Sequence, residues 1–171
     1  PITFTTECRS QTAPYQQNFD NQPANETPLC WTPYIIGASA TSAIFETYSF
    51  ATPNSTPNHL RIYNFSNNDT IAGYSPRFRD MYAGEKRIRF YVKSGSTFNS
   101  VNTDLFVGTL GDPNRPGATM TIFDTVQVGT NTTYGEVTVE ITSANGYNGS
   151  DEYLVLMHSN DAAGTFDNIY V

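Results

Sequence analysis

The chain alternates apolar and polar residues over several short segments, and this period is the feature that most limits its fold. In residues 87–93 the apolar positions are Ile88, Phe90 and Val92, and the residues between them are basic or aromatic. Residues 136–142 alternate in the same way. A two-residue period places apolar side chains on one face of a β-strand, whereas an amphipathic helix repeats them every three or four residues. These segments are therefore predicted to be half-buried antiparallel strands.

The rest of the chain divides into short strand candidates separated by turns, with no helical pattern longer than a turn or two. The further strand candidates are residues 43–50, 59–65, 104–109, 120–128, 153–158 and 166–171. Turn segments rich in Pro, Gly, Asn and Ser are residues 52–58, 111–117 and 143–149. Many short strands joined by polar turns predict an all-β sandwich or barrel.

Composition and charge limit the class of protein and its partners. A chain of 171 residues is most simply one domain. Only 15% of its residues are charged, below the ~25% typical of globular chains, which favours a secreted or cell-surface protein over a cytosolic one. The formal net charge of -7 disfavours nucleic acid, because phosphate binding needs a basic face. No apolar run approaches the ~20 residues that span a bilayer.

The cysteine content leaves the redox state open. In an oxidising compartment Cys8 and Cys30 would pair and close a loop worth roughly 3 kcal/mol, and otherwise they stay unpaired. Structural zinc is disfavoured, because it takes four N or S ligands and only His59 and His158 are available besides. Residues 1–14, rich in Thr, Pro and Gln, are interpreted as an N-terminal arm: a linker or an added edge strand held by Cys8.

No catalytic motif is visible in the sequence. The nucleophile elbow, the zinc-protease helix motif and the phosphate-binding glycine loop are all missing. Glu136 and Glu140 face the same way, but four strand residues separate their backbones by about 13 Å, too far for a glycosidase pair. They are better explained as solvated strand charges. The chain is therefore predicted not to be an enzyme.

Short motifs occur in a fixed order along residues 15–171. The chain opens with Asn18-Phe19-Asp20, Pro28 and Cys30-Trp31 and closes with Asp167-Asn168-Ile169. Between them stand residues 74–77 (YSPR), 105–113 (LFVGTLGDP) and 119–123 (TMTIF). In this order the motifs resemble those of the MAM-like and cleaved-adhesin (choice-of-anchor J type) group of jelly-roll modules.

The resemblance implies a fold, a cellular setting and a metal. It implies an antiparallel jelly-roll β-sandwich of two sheets over residues 15–171, in a secreted, non-catalytic module of the kind that Bacteroidota append to large surface proteins. It also implies structural calcium, with Asp20 and Asp167 where the family places acidic ligands. Calcium takes several oxygen ligands, so backbone carbonyls and Asn18 would complete the shell. On the residues alone, the favoured interpretation is that Asp20 is a turn or capping residue and Asp167 a surface carboxylate beside the last strand.

A basic row suggests a ligand-binding surface. The predicted ligand-binding residues on strands are Arg61, Tyr63, Arg87, Arg89, Tyr91 and Lys93. Arginine grips anions bidentately and tyrosine stacks on sugar rings, so this row would suit a sulfated or uronic-acid polysaccharide. The alternative is that the charges only keep a strand soluble.

Loop aromatics offer a second candidate for ligand binding. Tyr147 stands between glycines in a turn, and Tyr74 and Tyr82 are weaker candidates of the same kind. Trp31 is interpreted as a core residue rather than a sugar platform.

The sequence as a whole predicts a calcium-stabilised carbohydrate-binding module of a secreted or cell-surface multi-module protein, with polysaccharide as its partner. The alternative is an adhesion or protein-interaction module, contacting other modules of the same polypeptide or a surface protein, or a structural spacer. Exposed aromatics beside polar groups would favour sugar, and a contiguous apolar patch would favour a protein partner.

Overall fold

The computed structural model describes residues 8–36, 43–65, 70–83, 85–114, 119–159 and 167–171. Within these ranges it contains ten β-strands and one short 3-10 turn, Ser143–Asn145. The strands are β1 (Thr32–Ile36), β2 (Ala43–Tyr48), β3 (His59–Asn64), β4 (Thr70–Tyr74), β5 (Lys86–Ser94), β6 (Asp104–Leu110), β7 (Thr121–Gln127), β8 (Gly135–Ile141), β9 (Tyr153–Ser159) and β10 (Asp167–Tyr170). No helix in the described part of the chain is long and apolar enough to cross a membrane.

The strands form two five-stranded sheets that pack face to face. The first sheet has the order β1-β4-β9-β6-β7 and the second the order β2-β3-β10-β5-β8. All the described strand pairs are antiparallel. The prediction of an all-β jelly-roll sandwich with two antiparallel sheets is confirmed.

Two strands of the first sheet escaped the sequence prediction. All five residues of β1 are exposed, so burial imposes no alternation on them. In β4 the small residues Ala72 and Gly73 stand where a bulky apolar residue would mark a strand, although both are buried. Phe166, in the last predicted strand, lies outside the described residues, and β10 is described from Asp167.

The core lies between the two sheets. It is formed mainly by Phe45, Leu60, Ile62, Ile71, Leu105, Val107, Leu156 and Ile169. Trp31 belongs to it as predicted, with its ring centroid 5.9 Å from that of Phe45. The Phe45 ring reaches across to Gly73, where a Cβ atom would lie 1.9 Å from the ring. The sheets therefore approach one another so closely at this point that β4 requires glycine there.

The Cys8–Cys30 disulfide is formed, with a Cα–Cα distance of 5.3 Å. It ties the N-terminal segment to the loop before Trp31. That segment runs beside the end of β4: the Gln11 amide donates to the Arg77 carbonyl at 2.7 Å, and the Arg79 amide donates to Gln11 at 3.2 Å. Residues 8–14 thus lie against the sandwich near Arg77.

Candidate functional site

The outward face of the second sheet carries the six strand residues predicted to bind an anionic glycan, and we call it the charged face. Its members are Arg61 and Tyr63 on β3 and Arg87, Arg89, Tyr91 and Lys93 on β5. β10 lies between these strands, where Tyr170 pairs with both Arg61 and Lys93. The six residues share one face, but they do not lie on adjacent strands.

The arginines of the charged face have acidic neighbours within the protein. Arg61 forms an ion pair with Glu46, and its guanidinium lies 3.9 Å from the centroid of the Tyr48 ring. Arg89 Nε lies 3.3 Å from Glu136, which also accepts a hydrogen bond from the Tyr91 hydroxyl at 3.1 Å. A glycan anion would have to compete with these carboxylates.

Arg87 likewise faces an acid, since its register partner on the neighbouring strand β8 is Glu140. The sequence interpretation of Glu136 and Glu140 as solvated charges overlooked that they stand opposite the basic strand.

Lys93 is buried beneath the loop between β2 and β3. Its ammonium donates to the carbonyl oxygens of Ala51 and Thr52 at 3.1 and 3.0 Å, and lies 4.5 Å from the Tyr134 ring centroid. Burial lowers the pKa of Lys93. Burial, together with the charges of Lys93 and Arg61, lowers the pKa of the neighbouring His59 to about 4, so this ring is neutral at neutral pH. Lys93 therefore holds a loop and does not face solvent.

The structure does not bring together the two predicted calcium ligands. Asp20 accepts a hydrogen bond from Ser55 at 3.3 Å, just before β3 begins. Asp167 pairs with Asn64, where β3 ends. Five residues of strand span about 17 Å, so the two carboxylates lie near opposite ends of β3 and cannot share one ion.

Asp167 instead binds donors of the protein itself. Its Oδ1 accepts hydrogen bonds from the Thr103 hydroxyl and, at 3.2 Å, from the Ser100 amide, and its Oδ2 lies 3.4 Å from His158 Nε2. Burial acts to raise the pKa of Asp167, but these contacts outweigh it and the pKa lies below its ordinary value. Because β9 carries His158 and β10 carries Asp167, this contact joins the two sheets.

The described residues contain no group of three or more His, Cys, Asp or Glu side chains that could hold a metal ion. Asp20 is engaged by Asn18, whose amide donates to it at 2.7 Å. Calcium binding elsewhere in the chain stays a prediction.

Tyr147 is half-buried rather than displayed. Its hydroxyl donates to the Asp151 carbonyl at 2.7 Å, and its ring centroid lies 6.4 Å from that of Phe123. Burial, with smaller effects from Asp151 and Glu152, raises its pKa to about 12. The Tyr147 side chain thus stabilises the loop that contains it.

The outward face of the first sheet carries a different set of side chains, which we call the aromatic face. Its members are Tyr34, Tyr74, Phe106, Ile122, Tyr153 and Met157. The Tyr34 and Tyr74 rings stack with centroids 5.9 Å apart and planes inclined by 28°. Tyr34 is 48% exposed. The face extends over all five strands, about 19 Å at the usual strand spacing.

Small residues form the floor of the aromatic face. In the strand register, Ala72 lies between Tyr34 and Met157, and Gly108 lies between Val155 and Ile122. Gly108 lies where the register between β6 and β7 shifts, and a Cβ atom there would lie 2.2 Å from the Thr121 carbonyl oxygen, so this position requires glycine. The larger side chains of the aromatic face therefore project beyond Ala72 and Gly108.

Polar groups border one end of the aromatic face, and we call them the polar end: Arg77, Asp112 and Glu152. Arg77 binds Glu152 through Nε and Nη2, both at 2.7 Å. Tyr153 lies next to this pair. Burial is the main cause that raises the pKa of Tyr153, and Arg77, Asp112 and Glu152 are all close enough to influence that pKa. An aromatic surface thus ends at paired hydrogen-bonding groups.

Sequence reasoning missed most of the aromatic face. Tyr74 was considered only as a loop residue, whereas it ends β4. One available signal was residues 153–157 (YLVLM), which are apolar at every position. A strand of this kind buries or uses both of its faces, and does not simply expose one of them to water.

The fold is that of known binding modules. The K1 cleaved adhesin domain of Lys-gingipain from Porphyromonas gingivalis is 15% identical, with a TM-score of 0.58, over 85% of this chain and 89% of that one. A family 11 carbohydrate-binding module from Clostridium thermocellum, in complex with a β-1,3-1,4-mixed-linked tetrasaccharide, is 14% identical, with a TM-score of 0.54, over 87% and 92%. No protein-family profile matches the sequence, and no curated protein is significantly similar to it.

An enzyme is also similar over part of its length. An arabinose-bound α-L-arabinofuranosidase is 16% identical, with a TM-score of 0.56. The match covers 83% of this chain but only 22% of the enzyme chain. At these identities the comparisons establish the shared sandwich fold.

Proposed function

We propose that this chain is a non-catalytic carbohydrate-binding module that holds polysaccharide on its aromatic face. The observation that carries the proposal is the stacked Tyr34–Tyr74 pair on the open face of a rigid sheet. Tyrosine rings offer a large apolar surface at little cost in conformational entropy, and the apolar faces of sugar rings stack on them.

The surroundings of the aromatic face also suit a sugar. Sugar hydroxyls need hydrogen-bonding groups at the edge of an apolar platform, and the polar end supplies a guanidinium and carboxylates. The charged face is less suitable, because Arg61 and Arg89 are paired with acids and Lys93 is buried.

The comparisons and the disulfide support the broader setting. Cleaved-adhesin and carbohydrate-binding modules share this fold, which makes a module of a larger secreted or surface protein the natural context. Disulfides such as Cys8–Cys30 persist mainly in oxidising compartments. The choice-of-anchor J type and an origin in Bacteroidota stay predictions.

Adhesion to a protein is the second candidate function. Ile36 and Ile122, at the two edges of the first sheet, are 53% and 46% exposed, and Met157 lies between those edges. Together with the tyrosines, these side chains form an apolar patch that would also suit a protein surface.

Affinity electrophoresis on a panel of polysaccharides tests the proposal. We expect retention by at least one glycan class, with no release of reducing sugar on prolonged incubation, because the module binds without catalysis. Migration unchanged by every glycan would contradict the proposal and favour adhesion.

A further inference from the structure

We infer that the polysaccharide is uncharged, and that the Arg77–Glu152 pair anchors it at one end of the aromatic face and determines its specificity. The inference rests on the proposed function and adds the chemical class of the ligand and the residues that select it.

Charge is segregated between the two sheets. None of the five strands of the first sheet contains a lysine or arginine, and their only acids are Asp104 and Asp124. The strand residues Arg61, Lys86, Arg87, Arg89 and Lys93 all belong to the second sheet. A polyanion lying on the aromatic face would therefore meet no basic residue from the strands beneath it, and anion recognition depends on such residues.

The polar end does not supply the missing positive charge. Arg77 is its one cation among the described residues, and the bidentate bond to Glu152 compensates that charge. Asp112 lies close enough to influence Arg77 and Tyr153. With one cation and two carboxylates, the polar end has a net charge of -1 and repels sulfates and uronates.

The same pair suits neutral hydroxyls. The Arg77–Glu152 bond uses Nε and Nη2, so Nη1 takes no part in it, and the carboxylate oxygens keep further lone pairs. A donor and an acceptor thus stand side by side, as two adjacent sugar hydroxyls require.

The backbone fixes the position of this pair. The Gln11 amide donates to the Arg77 carbonyl at 2.7 Å, and the Glu152 amide donates to Leu110 at 3.0 Å. Pre-organised groups of this kind lose little entropy when a ligand binds. Arg77 is 52% exposed and therefore accessible.

Affinity electrophoresis with mixed-linked glucan and xylan as neutral probes, and alginate and polygalacturonate as anionic probes, tests the inference. We expect retention by a neutral probe only, unaffected by high salt. Arg77→Gln should weaken it about tenfold or more, because a hydrogen bond from a charged group is lost. Arg79→Ala is the matched control: this exposed neighbour should leave retention unchanged.

A variant that removes the two carboxylates of the polar end tests whether they exclude anionic glycans. In Glu152→Gln/Asp112→Asn the Arg77 cation is no longer compensated, so we expect new, salt-sensitive retention by alginate or polygalacturonate. Circular dichroism and melting curves show whether each variant is folded.

The outcomes separate the two levels of the proposal. Salt-sensitive retention of the wild type by an anionic probe, or neutral retention that Arg77→Gln leaves intact, would overturn the inference while the proposed function stands. Failure of every probe to retain the wild type would overturn both.

Discussion

Replacing Asp167 with alanine is expected to destabilise the sandwich by about 3 kcal/mol, because each buried donor left unsatisfied costs about 1–3 kcal/mol and Asp167 accepts from Ser100 and Thr103. The Asp167 carboxylate and the His158 ring are both almost completely buried. His158 Nδ1 lies 2.8 Å from the Asp104 carbonyl oxygen, which can only accept, so Nδ1 carries a proton. The other ring nitrogen, Nε2, lies 3.4 Å from Asp167 Oδ2. Without Asp167, the Thr103 hydroxyl and the Ser100 amide would lose their acceptor.

Chemical denaturation measures this loss, and two controls identify its cause. Asp167→Asn keeps the shape and one acceptor oxygen, so it should cost less than Asp167→Ala. Chelator should affect the melting temperatures of the wild type and Asp167→Asn equally, because protein donors and not calcium satisfy this carboxylate. A loss below about 1 kcal/mol in Asp167→Ala, or a chelator effect on the wild type that Asp167→Asn lacks, would contradict this assignment.

The pH dependence of stability provides a further check on Asp167. Its folded-state pKa lies below the ordinary value of 3.8, so its contribution is fully present above that value. The contribution declines as the pH falls through 3.8 towards the folded-state pKa. The free energy of unfolding of Asp167→Asn should therefore decrease less than that of the wild type as the pH falls below 3.8.

Removing the disulfide is expected to cost about 3 kcal/mol, because a cross-link between residues 22 positions apart restricts the unfolded chain. In a domain of this size the loss corresponds to a melting temperature lowered by roughly 6–12 °C. Cys8→Ser and Cys30→Ser should each show it in calorimetry under non-reducing conditions.

The double variant Cys8→Ser/Cys30→Ser is the control for a shared cause. Each single change breaks the same bond, so the double variant should be no less stable than either single variant. Losses that add, or a wild type whose melting temperature is unaffected by reductant, would contradict a stabilising bridge.

The sequence predicted the class of fold because strands with one buried face alternate apolar and polar residues. Ile88, Phe90 and Val92 face the core and Val137 and Val139 oppose them, so alternation identified β5 and β8 correctly. β1 and β4 show no such alternation. The residues of β1 are all exposed, and Gly73 in β4 has no side chain because the Phe45 ring of the other sheet packs against it. Pairing order depends on contacts between distant segments and does not show in local periods.

The candidate site was harder to predict for a related reason. Alternation assigned the basic residues of β5 to an outward face, but it could not reveal that Glu136 and Glu140 would stand opposite them. The loop that covers Lys93 is likewise a tertiary feature. The aromatic face depends on Tyr34 and Tyr74 meeting from strands that are 40 residues apart (74 − 34) and pair only in the folded chain.

Retention of matched variants on the best neutral glycan is the most direct test of the aromatic face. Tyr34→Ala/Tyr74→Ala removes the stacked pair, and Arg87→Ala/Arg89→Ala removes two exposed cations from the opposite sheet. We expect the tyrosine variant to lose affinity about tenfold or more, as when central aromatic contacts are truncated, and the arginine variant to bind like the wild type. If the tyrosine variant keeps its retention while the arginine variant loses it, the glycan binds to the charged face and not to the aromatic face.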